Sequence, residues 1–261
     1  MKILAINGSY RTNGNTARVI SLIIDQLYVE ANRFGETLGF EMVDLGKLDI
    51  QFCHGCRICF NRGEEHCPLK DDLLAIKIKI KEADGIIIAA PTYVNDVNGI
   101  TKNWIDRMAH VCHRPEYAGK CVYLLATVAD GPTSHALMTF NMALRTWGFY
   151  LVGQTGLKTG ALMKRQEIQS RYENQIKKIG RKLFLSIAEK KFTQPSFLSL
   201  MTFCIQQRAW QRHIDDSVDY HYWKNQGWLD ARQSFYIPHH ANIIKVWGAR
   251  LAGSLLAPLV S

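Results

Sequence analysis

The chain has 261 residues, 47% of them hydrophobic and 21% charged, with a formal net charge of +9. Those values describe a globular protein with one large domain, or one domain and an appendage, and an anionic partner of some kind. No helix-turn-helix, zinc-finger or RNA-binding signature accompanies the charge, so no nucleic acid is expected, and MKILAINGSYR lacks the apolar core of a secretory signal.

The first predicted strand is the apolar run Ile3, Leu4, Ala5, Ile6, which ends in Asn7-Gly8-Ser9. A polar loop with Arg11, Thr12, Asn13, Gly14, Asn15 and Thr16 follows, and a helical pattern opens with Val19, Ile20, Leu22, Ile23 and Ile24. Strand, polar loop and helix can cradle a phosphate, because the first N–H groups of the helix are unpaired and its dipole is positive there. The loop has no Lys after a second glycine and no three-glycine dinucleotide pattern, and its size suits a single terminal phosphate. An ordinary turn capped by Asn15 or Thr16 is the alternative.

Gly39–Leu45 alternates as a second strand. Beyond it lies FCHGCRICFNRGEEHCPLKDD, in which Cys53, Cys56, Cys59 and Cys67 are spaced C-x2-C-x2-C-x7-C and Pro68 follows the last. Four closely spaced thiolates of this kind hold iron–sulfur clusters, and a [4Fe–4S] cluster is expected on the loop 47–70. Zinc sites of four cysteines come as two separated knuckles, so zinc, or a motif left empty, is the lesser alternative. His54 sits inside this loop, where it could tune a cluster by hydrogen bonding. Among the seven cysteines, Cys112, Cys121 and Cys204 stand alone and read as packing residues. Clustered thiols without a secretory signal point to a reducing, cytoplasmic setting.

A helix is predicted over Leu73–Lys81, and Asp84–Ala90 reads as a strand buried on both faces. The loop after it, Pro91, Thr92, Tyr93, Val94 and Asn95 through Gly99, could offer backbone donors and an aromatic surface to a flat heterocycle. Helices over Ile100–Val111 and His135–Trp147 alternate with strands over Lys120–Thr127 and Phe149–Thr155. The loop Thr127, Val128, Ala129, Asp130, Gly131 would close the other side of such a site. His110 and His113 read as surface residues after an amphipathic helix. Five strands alternating with helices predict right-handed βαβ units, a doubly wound α/β sheet of order 2-1-3-4-5, and a ligand at the carboxyl ends of the strands.

Lys158–Lys191 reads as a basic helix, either a solvated face or a docking surface for an acidic electron carrier. The α/β core domain is expected over 1–191 and a helical, aromatic-rich extension over 192–261. Within the extension Phe197–His213 has helical periodicity, and Asp219–Asp230 is dense in aromatics. Ala241–Ser261 is apolar but carries Lys245 and Arg250, with Gly248, Gly253 and Pro258 weakening a long helix. Its tryptophans are expected to pack on the chain's own domain or a sister subunit; an interfacial membrane helix is the minor alternative, and a membrane partner is not expected.

The amino-terminal loop, the P-x-Y segment at Pro91–Tyr93, and the helix with Lys102 and Asp106-Arg107 resemble the flavodoxin-like NAD(P)H-dependent FMN reductases. The cysteine run before Lys70-Asp71-Asp72 resembles that of their iron–sulfur flavoprotein group. The resemblance implies FMN, its 5′-phosphate in the Ser9–Thr16 loop and its ring near the 91–95 loop. It also implies an oxidoreductase passing electrons from ferredoxin or NAD(P)H through cluster and flavin to a small acceptor. A cysteine loop near the surface, together with the tail rich in Trp and Tyr, predicts a homodimer or homotetramer. A cluster-free NAD(P)H-dependent FMN or quinone reductase, and a carrier with no substrate of its own, are the competing readings.

Overall fold

The computed structural model describes residues 1–212 and 216–260. His213 and Ser261, at the ends of two predicted segments, lie outside the described residues. Strand β1 (Lys2–Asn7) leads into helix α1 (Asn15–Phe34), β2 (Gly39–Asp44), the short α2 (Ile58–Asn61) and α3 (Leu73–Glu82). Then come β3 (Gly85–Tyr93), the two-residue β4 (Asp96–Val97), α4 (Gly99–Arg107), β5 (Cys121–Val128), α5 (Ser134–Thr146), β6 (Tyr150–Lys158) and α6 (Arg165–Ala188). Helices α7 (Phe197–Arg212), α8 (Val218–Asn225) and α9 (Ile243–Val260) form the extension.

Five strands run parallel in the order β2-β1-β3-β5-β6, which is the expected doubly wound order; β4 lies off this path, antiparallel to β3. The alternation of side chains explains the apolar runs. Leu4, Ile6, Ile86, Ile88, Val122 and Leu124 face a core shared with Ile76, Trp104 and Phe140. Ile3, Ala5, Ile87, Ala89, Tyr123 and Leu125 face the opposite core with Ile20, Ile23, Ile179 and Leu183. Helices thus cover both faces of the sheet, and central strands need apolar side chains at every position.

Two predicted boundaries shift. The helix expected over Ile100–Val111 ends at Arg107 and continues as a 3-10 turn over Ala109–Cys112. The last strand runs on to Lys158, so the basic helix begins only at Arg165.

The extension has its own core of Leu200, Phe203, Trp223, Trp228, Phe235, Tyr236, Val246 and Ala249. The buried Trp228 Nε1 donates to the Tyr236 carbonyl at 3.0 Å. Trp223 Nε1 donates to the His113 carbonyl at 2.7 Å, and the Gln206 side-chain amide donates to the Cys112 carbonyl at 2.7 Å, so this core docks on the sheet domain. Its last helix forms despite its glycines because they permit close approach to α7. A Cβ at Gly253 would meet the Cys204 Cβ at 2.8 Å, and one at Gly248 would meet Phe197 at 3.4 Å. Among the described residues, no helix is long and apolar enough to cross a membrane.

Candidate functional site

At the carboxyl ends of β1, β3, β5 and β6 one cavity collects Ser9, Arg11, Gly14, Asn15, Thr16, Pro91, Thr92, Tyr93, Thr127 and Ala129. Its floor is held by buried polar contacts. The Thr16 and Thr127 hydroxyls lie 2.7 Å apart, tying α1 to β5, and the Ser9 hydroxyl accepts the Arg11 N–H at 3.0 Å. That bond leaves the Ser9 hydroxyl hydrogen free to donate. Helix α1 starts after Gly14 with no side-chain cap, so its first N–H groups open toward the cavity. A Cβ on Gly14 would lie 2.9 Å from the Arg11 Cβ, so only glycine lets this loop close so tightly.

The Thr92 Oγ1 is buried, lines this cavity and has no hydrogen-bond partner. A buried hydroxyl is costly to leave unpaired, so its natural partner is a polar ligand atom. An unsatisfied hydroxyl, free helix N–H groups and the exposed Arg11 at the rim together fit an anionic, hydrogen-bonding ligand such as FMN.

Five sequence-predicted residues stand off the cavity wall. Asn13 is exposed and does not line the cavity. Val94 and Asn95 form the tight turn between β3 and β4, with φ of 49° and 65°. A two-residue hairpin turn of this kind needs positive φ at both positions, and a β-branched residue there is strained. Asp130 pairs with Lys158 at 3.0 Å, and Gly131 has φ of 102°. The two turns approach each other, because a Cβ on Gly131 would sit 3.9 Å from the Asn95 Oδ1.

The Asn15 side chain does a different job from the one its loop suggested. Its amide donates to the carbonyl oxygens of Thr159 (3.1 Å) and Gly160 (2.9 Å). It therefore clips the end of β6 to the Ser9–Thr16 loop and leaves only its backbone N–H for an anion. Thr159, Gly160 and Ala161 line the cavity and were not anticipated from sequence. Their signal is positional, since they directly follow β6, which runs three residues beyond the Thr155 end that the sequence predicts.

A second cavity is lined by Cys53, Cys56, Cys59 and Cys67 together with His54, Arg57, Phe60, Glu64 and Arg107. The loop that carries them turns through positive φ at Gly55 (66°), Arg57 (60°) and Gly63 (101°). Helix α4 pins its base. The buried Arg107 forms an ion pair with Asp71, donates to the Gln51 carbonyl at 2.7 Å and reaches the Cys67 Sγ at 3.9 Å. Burial opposes the Asp71 charge, but hydrogen bonds from Arg107 and the Leu73 and Gln51 amides hold its carboxyl below the usual range. Burial pushes the Cys59 thiol up, and the neighbouring Cys67 and Cys53 sulfurs push it further.

Beneath the cysteines lies a buried charge network, and here the reading of His110 as a surface residue is overturned. His110 is 1% exposed. Lys77 Nζ lies 3.0 Å from its Nε2 and 2.9 Å from Glu116, and it also pairs with Glu64. Burial first, and the Lys77 charge second, keep the imidazole neutral. Arg114, 2% exposed, donates to the Cys59 carbonyl at 2.8 Å and to Glu64 at 2.9 Å, and pairs with Asp219 of α8. His113 is half-buried, bonded to Asp219 at 2.7 Å, with Phe60 and Trp210 against its ring. The extension therefore grips the cysteine loop through Arg114.

Residues 1–161 match the family model described as NADPH-dependent FMN reductase. An iron–sulfur flavoprotein of Archaeoglobus fulgidus is 28% identical over 234 residues, covering 88% of this chain and all of that protein. One from Clostridioides difficile is 30% identical over 192 residues, covering 73% of this chain and 81% of that one. Among solved structures, RosB with a bound 8-demethyl-8-formylriboflavin-5′-phosphate has the same fold, with TM-score 0.58 at 16% identity over 83% of this chain and 88% of that one. This chain belongs to the NADPH-dependent FMN reductase family, in its iron–sulfur flavoprotein group, and is a flavin-dependent oxidoreductase.

Proposed function

We propose that the enzyme binds FMN in the first cavity and a [4Fe–4S] cluster on Cys53, Cys56, Cys59 and Cys67, and carries electrons between them to a small acceptor. The observation that carries this reading is the gathering of all four thiols around one cavity with the Arg107 guanidinium beside them. Among the described residues, the only trio of possible ligand atoms within 4.8 Å of one another is Glu64, His110 and Glu116, and the Lys77 ammonium already contacts all three. Among the described residues, no three thiols lie as close as the roughly 3.8 Å that tetrahedral zinc with about 2.3 Å bonds to sulfur imposes.

Bound there, FMN supplies one- and two-electron chemistry at its ring and the cluster supplies single electrons. The chain's own residues bind and orient. Ser9, Arg11, Thr16 and the first N–H groups of α1 would hold the phosphate, and Thr92 and Tyr93 would meet the rest of the flavin. Arg107 would offset the negative charge of four thiolates, while Arg114 fixes the Cys59 backbone. Ferredoxin or NAD(P)H is the proposed donor. The run of Arg171, Lys177, Lys178, Arg181 and Lys182 along the exposed side of α6 supports an acidic carrier, because opposite charge steers association. Absorption of anaerobically purified protein tests the reading: flavin bands with a broad shoulder that bleaches on reduction support it, and flavin bands alone leave a cluster-free reductase.

A further inference from the structure

Helix α9 is apolar on two opposite sides. Val246, Ala249, Gly253 and Ala257 recur at helical spacing and are buried, and α9 packs along α7. The other side carries Ile244, Trp247, Leu251 and Leu255, which are 78%, 72%, 59% and 69% exposed, with Ile243 at 71% beside them. At 100° per residue these fall in one stripe opposite the buried one. Lys245 stands exposed on one flank of that stripe, and on the other Arg208 of α7 lines a groove with Trp247 and Leu251, beside Arg250, whose guanidinium donates to the Gln233 carbonyl at 3.1 Å and the Ala231 carbonyl at 2.7 Å. Neither α7 nor α9 contains an Asp or a Glu.

An exposed apolar stripe of this size marks a surface that is covered in use. The chemistry of its margins decides what covers it. A stripe of Trp, Ile and Leu flanked on both sides by cations, on a helix too short and interrupted to span, is the pattern of a helix lying in a membrane interface. Long basic side chains at its flanks can reach anionic headgroups while the apolar side chains enter the acyl boundary. A second copy of the chain would bring the same basic margins together with no carboxylate on either helix to balance them. We propose that the α9 face, with Arg208, docks the protein on anionic lipid surfaces. This departs from the expectation that no membrane is involved.

The test uses the full-length holoprotein and two kinds of vesicle, pure phosphatidylcholine and phosphatidylcholine with about a third phosphatidylglycerol. Co-sedimentation should be strong with the anionic vesicles, weak with the neutral ones, and reduced by high salt. The double variant Leu251→Gln, Leu255→Gln changes only exposed positions and should lower anionic-vesicle binding by at least about tenfold, with its flavin spectrum and melting curve unchanged. Absence of anionic-vesicle binding by the parent, or equal binding by the variant, overturns the proposal. So does sedimentation showing a dimer that the same substitutions dissolve, because the face would then be a contact between copies.

Discussion

Replacing Asp219 with Asn tests whether the extension holds the cysteine loop. Asp219 is 3% exposed and receives hydrogen bonds from Arg114 and His113. Arg114 is equally buried and joins that carboxylate to the Cys59 carbonyl and to Glu64. Removing one partner of a buried ion pair costs about 3–5 kcal/mol. Here Glu64 still balances the guanidinium and the Asn oxygen can still accept a hydrogen bond, so the loss should fall to about 2–3 kcal/mol. In a chain of this size each kcal/mol moves Tm by about 2–4 °C, which gives a decrease of about 4–12 °C. Thermal unfolding followed by circular dichroism reads the total, and amide exchange reads its location. Exchange should quicken both in the 53–60 segment and in α8. A Tm within about 1 °C of the parent, with protection of 53–60 unchanged, would refute the idea that the extension clamps the loop.

Arg11→Ala should weaken FMN binding by about 1.5–3 kcal/mol, and Thr16→Ala by less because its contact is neutral; flavin titration of the apoprotein checks both, and unchanged affinity in the pair contradicts the phosphate assignment. The hydrogen bond to Asp219, with a second to Cys112, raises the His113 pKa to about 9 from an ordinary 6.5. A raised folded-state pKa means that its contribution is complete below 6.5 and is lost as pH rises through 9. Melting temperature should therefore drop across that window in the parent and less so in Asp219→Asn. Gly253→Val drives a side chain into Cys204 and should destabilise the extension by about 1–3 kcal/mol, read as an earlier unfolding step.

Much of this molecule was legible because its signals are local. The five parallel strands announce themselves through runs such as Ile86–Ala90, whose residues must all be apolar once helices cover both faces. The cysteine loop is legible for the same reason, since four cysteines lie within fifteen positions of one another. What stayed hidden depends on distant partners. His110 looked like a surface residue because nothing nearby in sequence reveals that Lys77 and Glu116 will meet it in the interior. Asn15 looked like a phosphate donor until Thr159 and Gly160 folded across it. Gly253 of α9 reads as a break, but its lack of a side chain is what lets the helix lie against Cys204. The Val94–Asn95 segment reads as part of a ligand loop, and its role as the tight turn joining β3 to β4 depends on a pairing that the sequence does not announce.

The central claim is that this flavoenzyme carries a four-iron cluster on Cys53, Cys56, Cys59 and Cys67. Iron, acid-labile sulfide and FMN measured together on anaerobically purified protein test it most directly, alongside each single Cys→Ser variant. Four irons and four sulfides per chain with one FMN are expected for the parent. Each variant should lose iron and sulfide together while keeping its FMN, because the cavity proposed for the flavin is built on other strand ends. A parent that holds FMN but no iron, even after reconstitution without oxygen, would contradict the claim.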